Sequence, residues 1–333
     1  MLEADYRAAR TGAILLERKA RARILVSGGD RRTYLHALLT NDIAGLVPGR
    51  GCYAAFLTPQ GRMIADMRVL DIGDLLLVEL EEQVKNHVLE QLDRLVFGED
   101  VAFGDVSSVI SQMGVHGPAA ARSVRTVIER AGVEVPGNLD EFPEHSNFRS
   151  TLHGEPLVVA ASREFSDSGF EIYAGASVAK SLADSLLEAG VVRAREETAE
   201  VLRIERGRPL FGVDMDLETI PLEAGIERRA ISFTKGCYPG QEVIVRVVHR
   251  GHGRVARRLV LLALETDRPV PAGCAVEGGD KPEGRVTSSA FSPEAGRAIA
   301  LAYVHRDLAS VGTRLSVRAG AGPIAAEVTG LAG

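Results

Sequence analysis

A single thiol stands between an ammonium and two glycines in the run Lys235-Gly236-Cys237-Tyr238-Pro239-Gly240-Gln241-Glu242. Glycine at 236 and 240 permits tight or positive-φ turns, and Pro239 suits the first turn of a helix continuing from Gln241 to Val248. Cys237 would then lie beside the unpaired N–H groups of a helix start, and together with Lys235 those donors favour a thiolate. The same octapeptide, taken alone, equally accommodates a small buried apolar residue at Cys237.

The elements that must position this loop alternate in type along the first two thirds of the chain. Ala22 to Val26 is a short apolar run, and Asp30 can cap a helix carrying Tyr34, Leu35, Leu38 and Leu39 at helical spacing. Three strand-like runs follow, Tyr53 to Leu57, Met63 to Leu70 and Leu75 to Leu80. The connections Pro59-Gln60-Gly61 and Ile72-Gly73-Asp74 make them an antiparallel meander. Val84 to Phe97 is an amphipathic helix. Beyond it the pattern predicts strands near 109–115, 156–161 and 170–173, a loop at 135–147, and helices at 176–189 and 196–205. Residues 207–234 read as an ordered connector anchored by Phe211, Ile220, Leu222 and Ile226. After Gly253 every signal is strand or turn, at spacings that suit a small barrel or sandwich.

A chain of 333 residues with 45% hydrophobic content is long enough for two or three cores. Its net charge of −6 provides no global basic field to attract nucleic acid, and the basic run from Arg246 to Arg258 reads as a solvated helix face and strand edge. Cys52, Cys237 and Cys274 form no C-x-x-C pair, and their odd count argues against a disulfide framework and a zinc site. A reducing compartment fits them best. With acids at Glu3 and Asp5 and no apolar run of membrane-spanning length, the expectation is a cytoplasmic protein without a membrane partner. Gly45 to Gly51 lacks the end of a phosphate loop, Asp214, Asp216 and Glu218 lack the rest of a calcium loop, and His249 with His252 read as turn residues.

The octapeptide resembles the K-G-C-[FY]-x-G-Q-E signature of the YgfZ-type folate-binding proteins. That group includes mitochondrial iron–sulfur assembly factors and is related to the glycine cleavage T-protein, the folate-dependent aminomethyltransferase. Leu202-Arg203-Ile204-Glu205-Arg206-Gly207 with Phe211-Gly212-Val213-Asp214, and Gly284-Arg285-Val286-Thr287-Ser288 with Phe291-Ser292-Pro293, agree with it. The resemblance implies an α+β chain: two interlocked α/β folate-binding domains around a central cavity over residues 1–250, then a C-terminal antiparallel β-barrel over 251–333.

It also implies roles. Gly169-Phe170-Glu171 matches the family's G-[YF]-E block, whose glutamate anchors the pterin; outside that match, Glu171 is an ordinary strand glutamate. Arg203 falls on the folate side of the cavity, although its guanidinium could instead pair with Glu205 or Glu200 on its own helix. Tyr53 and Asp66 fall where the T-protein has a cavity tyrosine and its catalytic aspartate, which handles protons or stabilises charge near the folate nitrogens. The cofactor implied is tetrahydrofolate or a one-carbon derivative. The activity implied is help in maturing or repairing iron–sulfur enzymes, with Cys237 and Lys235 at the cavity mouth and iron–sulfur assembly proteins or client enzymes as partners. The rival is an aminomethyl- or other one-carbon transferase acting through Asp66. Gly61-Arg62-Met63-Ile64-Ala65-Asp66 departs from the T-protein's G-G-x-x-D-D block by lacking one acid, and the cysteine loop is a second departure.

Overall fold

The computed structural model describes residues 2–250, 254–279, 282–320 and 322–333. It divides into two compact units, Met1–Phe56 with Ala65–Ala199 and Thr234–Gly236, and Leu57–Ile64 with Glu200–Phe233 and Cys237–Gly333. No helix among the described residues is long and apolar enough to cross a membrane.

The first unit contains two sheets whose strands are interleaved along the chain. The strand Ile14–Glu17 enters a six-stranded sheet with Ile110–His116, Asn147–Leu152, Glu155–Ala161, Gly169–Gly175 and Val192–Arg193. Three residues later Arg21–Ser27 belongs to a five-stranded sheet with Gly51–Leu57, Met63–Asp71, Leu76–Glu81 and Ala102–Asp105. The expected meander is therefore present, and Arg21–Ser27 pairs against its third strand. Alternation along Gly169–Gly175 sends Phe170, Ile172 and Ala174 into a core covered by the helices Ala120–Arg130 and Ala176–Glu188. Tyr173, on the opposite face, packs with Val158 and Ala160 against Leu70 and Leu77 of the second sheet. Charged side chains from both sheets meet on these facing surfaces.

In the second unit six strands close into a barrel in the order Arg257–Leu264, Arg297–His305, Pro282–Ser292, Ala275–Glu277, Arg314–Ala319 and Gly322–Leu331. Inward residues such as Val260, Leu262, Val286, Ala302, Val317 and Val328 fill it. The connector expected at 207–234 holds the short helices Pro221–Ala224 and Glu227–Ala230, with Phe211, Leu222 and Ile226 buried and Ile220 half-buried.

Several local expectations need correction. Asp30 precedes the helix Arg31–Leu38 but makes no side-chain cap bond; its carboxylate accepts the Asp100 N–H instead. The helix expected over Val84–Phe97 is Lys85–Arg94, preceded by a 3₁₀ turn. After the cysteine loop the α-helix is only Gln241–Val245, starting past Gly240 rather than at Pro239, and it runs into a π-turn over Arg246–Arg250. His252 and Gly253 lie outside the described residues.

Candidate functional site

Glu171 is almost fully buried in a shell of donors that strand pairing assembles. Its cross-strand partner is Gly114 and Gln112 lies diagonally across, so the Gln112 amide Nε2 donates to Glu171 Oε2 at 2.9 Å. Arg18 Nε lies 3.7 Å from the same oxygen, while His116 Nε2 and Arg68 Nη1 lie 3.3 and 3.9 Å from Oε1. Burial opposes the charge, but Arg18 and His116 outweigh it and bring the Glu171 carboxyl from an ordinary 4.5 to about 2. Glu171 is therefore ionised. Its Oε1, and the Oε1 of Gln112, are buried acceptors that receive no hydrogen bond among the described residues.

The His116 ring explains two glycines. A Cβ at Gly114 would lie 2.6 Å from His116 Nε2, and one at Gly169 would lie 2.2 Å from Nδ1. Gly169 of the Gly169-Phe170-Glu171 block thus makes room for an imidazole next to the glutamate. The Phe165 ring meets His116 edge-on at 4.9 Å between centroids. Burial lowers the His116 pKa, so the ring is neutral.

Tyr53 and Asp66 also meet, as their positions on adjacent strands require. The Tyr53 hydroxyl donates to Asp66 Oδ2 at 2.5 Å, and Oδ1 is buried without a hydrogen-bond donor. Burial raises the Asp66 carboxyl above its ordinary 3.8, with Arg21 and the Tyr53 hydroxyl offsetting part of the rise.

Beside these groups is Glu79, which is completely inaccessible to solvent. Arg21 Nε approaches it at 2.7 Å and Arg68 Nη1 at 3.0 Å, and the Tyr173 hydroxyl donates to it. Arg21 also pairs with Glu81 and Arg68 with Glu164, so a ladder of ion pairs runs from Glu81 through Glu79 to Glu164 and towards Glu171, with Asp66 in the field of Arg21. None of Arg18, Arg21, Arg68, Glu79, Gln112 or His116 was singled out from the sequence. A signal was present for part of the ladder: Arg21, Arg23, Arg68, Glu79 and Glu81 interrupt apolar strand runs, with opposite signs directly across the pairs Arg21–Glu81, Arg23–Glu79 and Arg68–Glu79.

Arg203 belongs to a different arrangement, in the second unit. Its Nη1 donates to Asp214 Oδ2 and the Arg208 carbonyl at 2.6 Å, its Nη2 to Ser288 Oγ at 2.8 Å, and both Nε and Nη2 engage Glu200. Thr287 and Ser288 hydroxyls in turn donate to Asp214 Oδ1. The three sequence blocks containing Arg203, Asp214 and Ser288 meet in this knot. All five N–H groups are taken by protein oxygens, so of the two pairings expected for Arg203 the one with Glu200 is formed within the protein.

The cysteine loop has a structural logic of its own. The Lys235 ammonium, expected beside the thiol, donates to the carbonyls of His36 and, at 2.6 Å, Leu39, where it caps the C-terminal end of the helix Arg31–Leu38. Gly240 has φ 80°, and a Cβ there would lie 2.5 Å from the Thr58 carbonyl oxygen and 2.8 Å from the Cα of Gly61. Lys235 and Gly240 therefore fix the loop, and Cys237 is exposed between them.

Residues 1–235 match the GCVT N-terminal domain, and residues 257–332 match the glycine cleavage T-protein C-terminal barrel domain. The chain belongs to the glycine cleavage T-protein family. An aminomethyltransferase of Rubrobacter xylanophilus is 30% identical over 303 residues, which are 91% of this chain and 79% of that one. One of Rippkaea orientalis is 29% identical over 329 residues, 95% of this chain and 85% of that one. The glycine cleavage system aminomethyltransferase T of Bartonella henselae, a crystal structure, shares the T-protein fold with a TM-score of 0.87 at 22% identity, covering 99% of this chain and 88% of that one. Membership is shown for the T-protein family as a whole and not for its YgfZ-type branch.

Proposed function

We propose that this T-protein family member binds tetrahydrofolate or a one-carbon derivative and transfers a one-carbon unit, with Glu171 holding the pterin and Asp66 managing a proton at the transfer step. The observation that carries this is a buried, ionised Glu171 whose Oε1 accepts no hydrogen bond within the protein, with His116 Nε2 3.3 Å away, and a Gln112 Oε1 that is likewise buried and unsatisfied. A reduced pterin presents a ring N–H and an exocyclic amine side by side, and a carboxylate accepts such a pair with charge assistance. These unsatisfied acceptors fit that ligand. When bound, tetrahydrofolate supplies the nitrogen that carries the one-carbon unit. Asp66, raised by burial and oriented by Tyr53, keeps Oδ1 available to hold or receive a proton. The aminomethyltransferases among the relatives support one-carbon transfer as the activity.

Calorimetric titration with tetrahydrofolate tests the anchor. Losing a hydrogen bond to a charged group is worth about 1.5–3 kcal/mol, so Glu171→Gln is expected to bind about ten- to a hundred-fold more weakly. Equal affinities would remove Glu171 from the site.

A second role, in maturation or repair of iron–sulfur enzymes, is favoured by one observation. Cys237 is exposed, whereas Cys52 and Cys274 are half-buried and burial pushes the Cys52 thiol up to about 12. Thiol chemistry at the surface therefore falls to Cys237. In cells that depend on this protein, Cys237→Ser is expected to lower the activity of iron–sulfur enzymes while leaving tetrahydrofolate affinity unchanged. Full activity with the serine variant would leave Cys237 without this role.

A further inference from the structure

We propose that His116 is a positioning residue whose imidazole N–H sets the orientation in which Glu171 presents its carboxylate to a ligand. The inference rests on the assignment of Glu171 as the folate anchor. A glutamate has three side-chain torsions, and the last is broad, so burial alone does not fix the plane of its two oxygens. Gln112 Nε2 fixes Oε2 at 2.9 Å, while Oε1 accepts no hydrogen bond without a ligand and has His116 Nε2 3.3 Å away, nearer than the Arg68 guanidinium at 3.9 Å, so a small adjustment on ligand binding completes the contact. Two opposed contacts define a plane where one leaves rotation about it.

The ring is well held for this task. Gly114 and Gly169 leave no space for a Cβ on either side of it, the Phe165 ring closes on it at 79°, and it is wholly buried. The proton of the neutral ring belongs on Nε2, because a lone pair there would face the carboxylate. A carboxylate oxygen has two lone pairs, so the His116 N–H and a ligand N–H can share Oε1. Arg18 and Arg68 supply positive charge to Glu171 but stand farther away, at 3.7 and 3.9 Å, and each also pairs with Glu164. They hold the charge, while His116 and Gln112 hold the angle.

Tetrahydrofolate affinity, measured by calorimetry for His116→Leu, His116→Gln, Glu171→Gln and the double variant His116→Leu/Glu171→Gln, tests the proposal. His116→Leu, which removes the N–H, is expected to weaken binding about ten-fold, and His116→Gln, which returns an N–H at similar reach, should recover most of that loss. In the Glu171→Gln background His116→Leu should cost nothing further, because the group it positions is gone. Thermal unfolding without ligand reports packing separately. Should the leucine variant not fold, His116→Asn, whose amide falls short of Glu171, provides the same contrast with His116→Gln. Equal losses for the variants with and without the N–H, or an undiminished loss in the Glu171→Gln background, would overturn the positioning role alone. Wild-type affinity in Glu171→Gln would instead overturn the folate assignment beneath it.

Discussion

Glu79→Gln is expected to destabilise the first unit by about 3–5 kcal/mol, the cost typical of removing one partner from a buried ion pair. Arg21 and Arg68 would each keep a guanidinium out of water with less negative charge to face, and the Tyr173 hydroxyl would lose a charged acceptor. Urea unfolding should show a lower midpoint with an unchanged slope. The pH dependence follows from the same contacts. Burial would raise the Glu79 carboxyl, yet Arg68 and Arg21 hold it well below the ordinary 4.5. A carboxyl depressed in the folded state contributes stability that is fully present above its unfolded value and is lost as pH falls through its folded value. Glu171, at about 2, acts in the same sense. Wild-type stability should therefore decline from about pH 4.5 downward, and the Glu79→Gln variant should decline less. An unchanged midpoint for Glu79→Gln alone would show that the ladder does not bear on stability.

The parts of the fold that sequence made legible are those with one dominant period. The runs Gly51–Leu57, Met63–Asp71 and Leu76–Glu81 alternate, or are wholly apolar, between turn residues, and they form the meander. The barrel strands announce themselves in the same way. The helix Ala120–Arg130 was not read from the sequence although Ala120, Ala121, Val124, Val127 and Ile128 recur at helical spacing, with the arginines on the other face. The strand Ile14–Glu17, only four residues long, is too short to show a period. At the site, Glu171, Tyr53 and Asp66 were reachable through blocks and spacing, and Tyr53 with Asp66 did converge. Their surroundings were not, because Glu171 draws Gln112 and His116 from one neighbouring strand and Arg18 and Arg68 from elsewhere in the unit. Pairwise proximity of this kind arises where strands far apart in sequence pair, so no single segment displays it. Arg203 shows the opposite case: its partner within the protein, Glu200, was legible from the local geometry of one helix.

Asp66→Asn is expected to lower one-carbon transfer by about 10²–10⁴-fold, the usual worth of a positioned general acid or base. Asparagine keeps the size of the side chain and can still accept the Tyr53 hydroxyl, so the loss isolates proton handling from packing. No neighbouring acid in the block can substitute. Where the T-protein pattern has a second aspartate this chain has Ala65, which is completely buried on the alternate face of the strand, a place where an unpaired carboxylate would carry a heavy desolvation cost. The rate to measure is formation of methylenetetrahydrofolate from an aminomethylated lipoyl carrier, with Glu171→Gln run beside it as a binding control. A general acid or base should affect turnover with little change in tetrahydrofolate affinity, whereas the anchor variant should lose affinity first. If wild type and Asp66→Asn transfer at the same background rate although tetrahydrofolate binds both, Asp66 is not a proton-transfer group. Folate binding by Glu171 would then serve a role without aminomethyl turnover, and the exposed Cys237 would become the place to look for the chemistry.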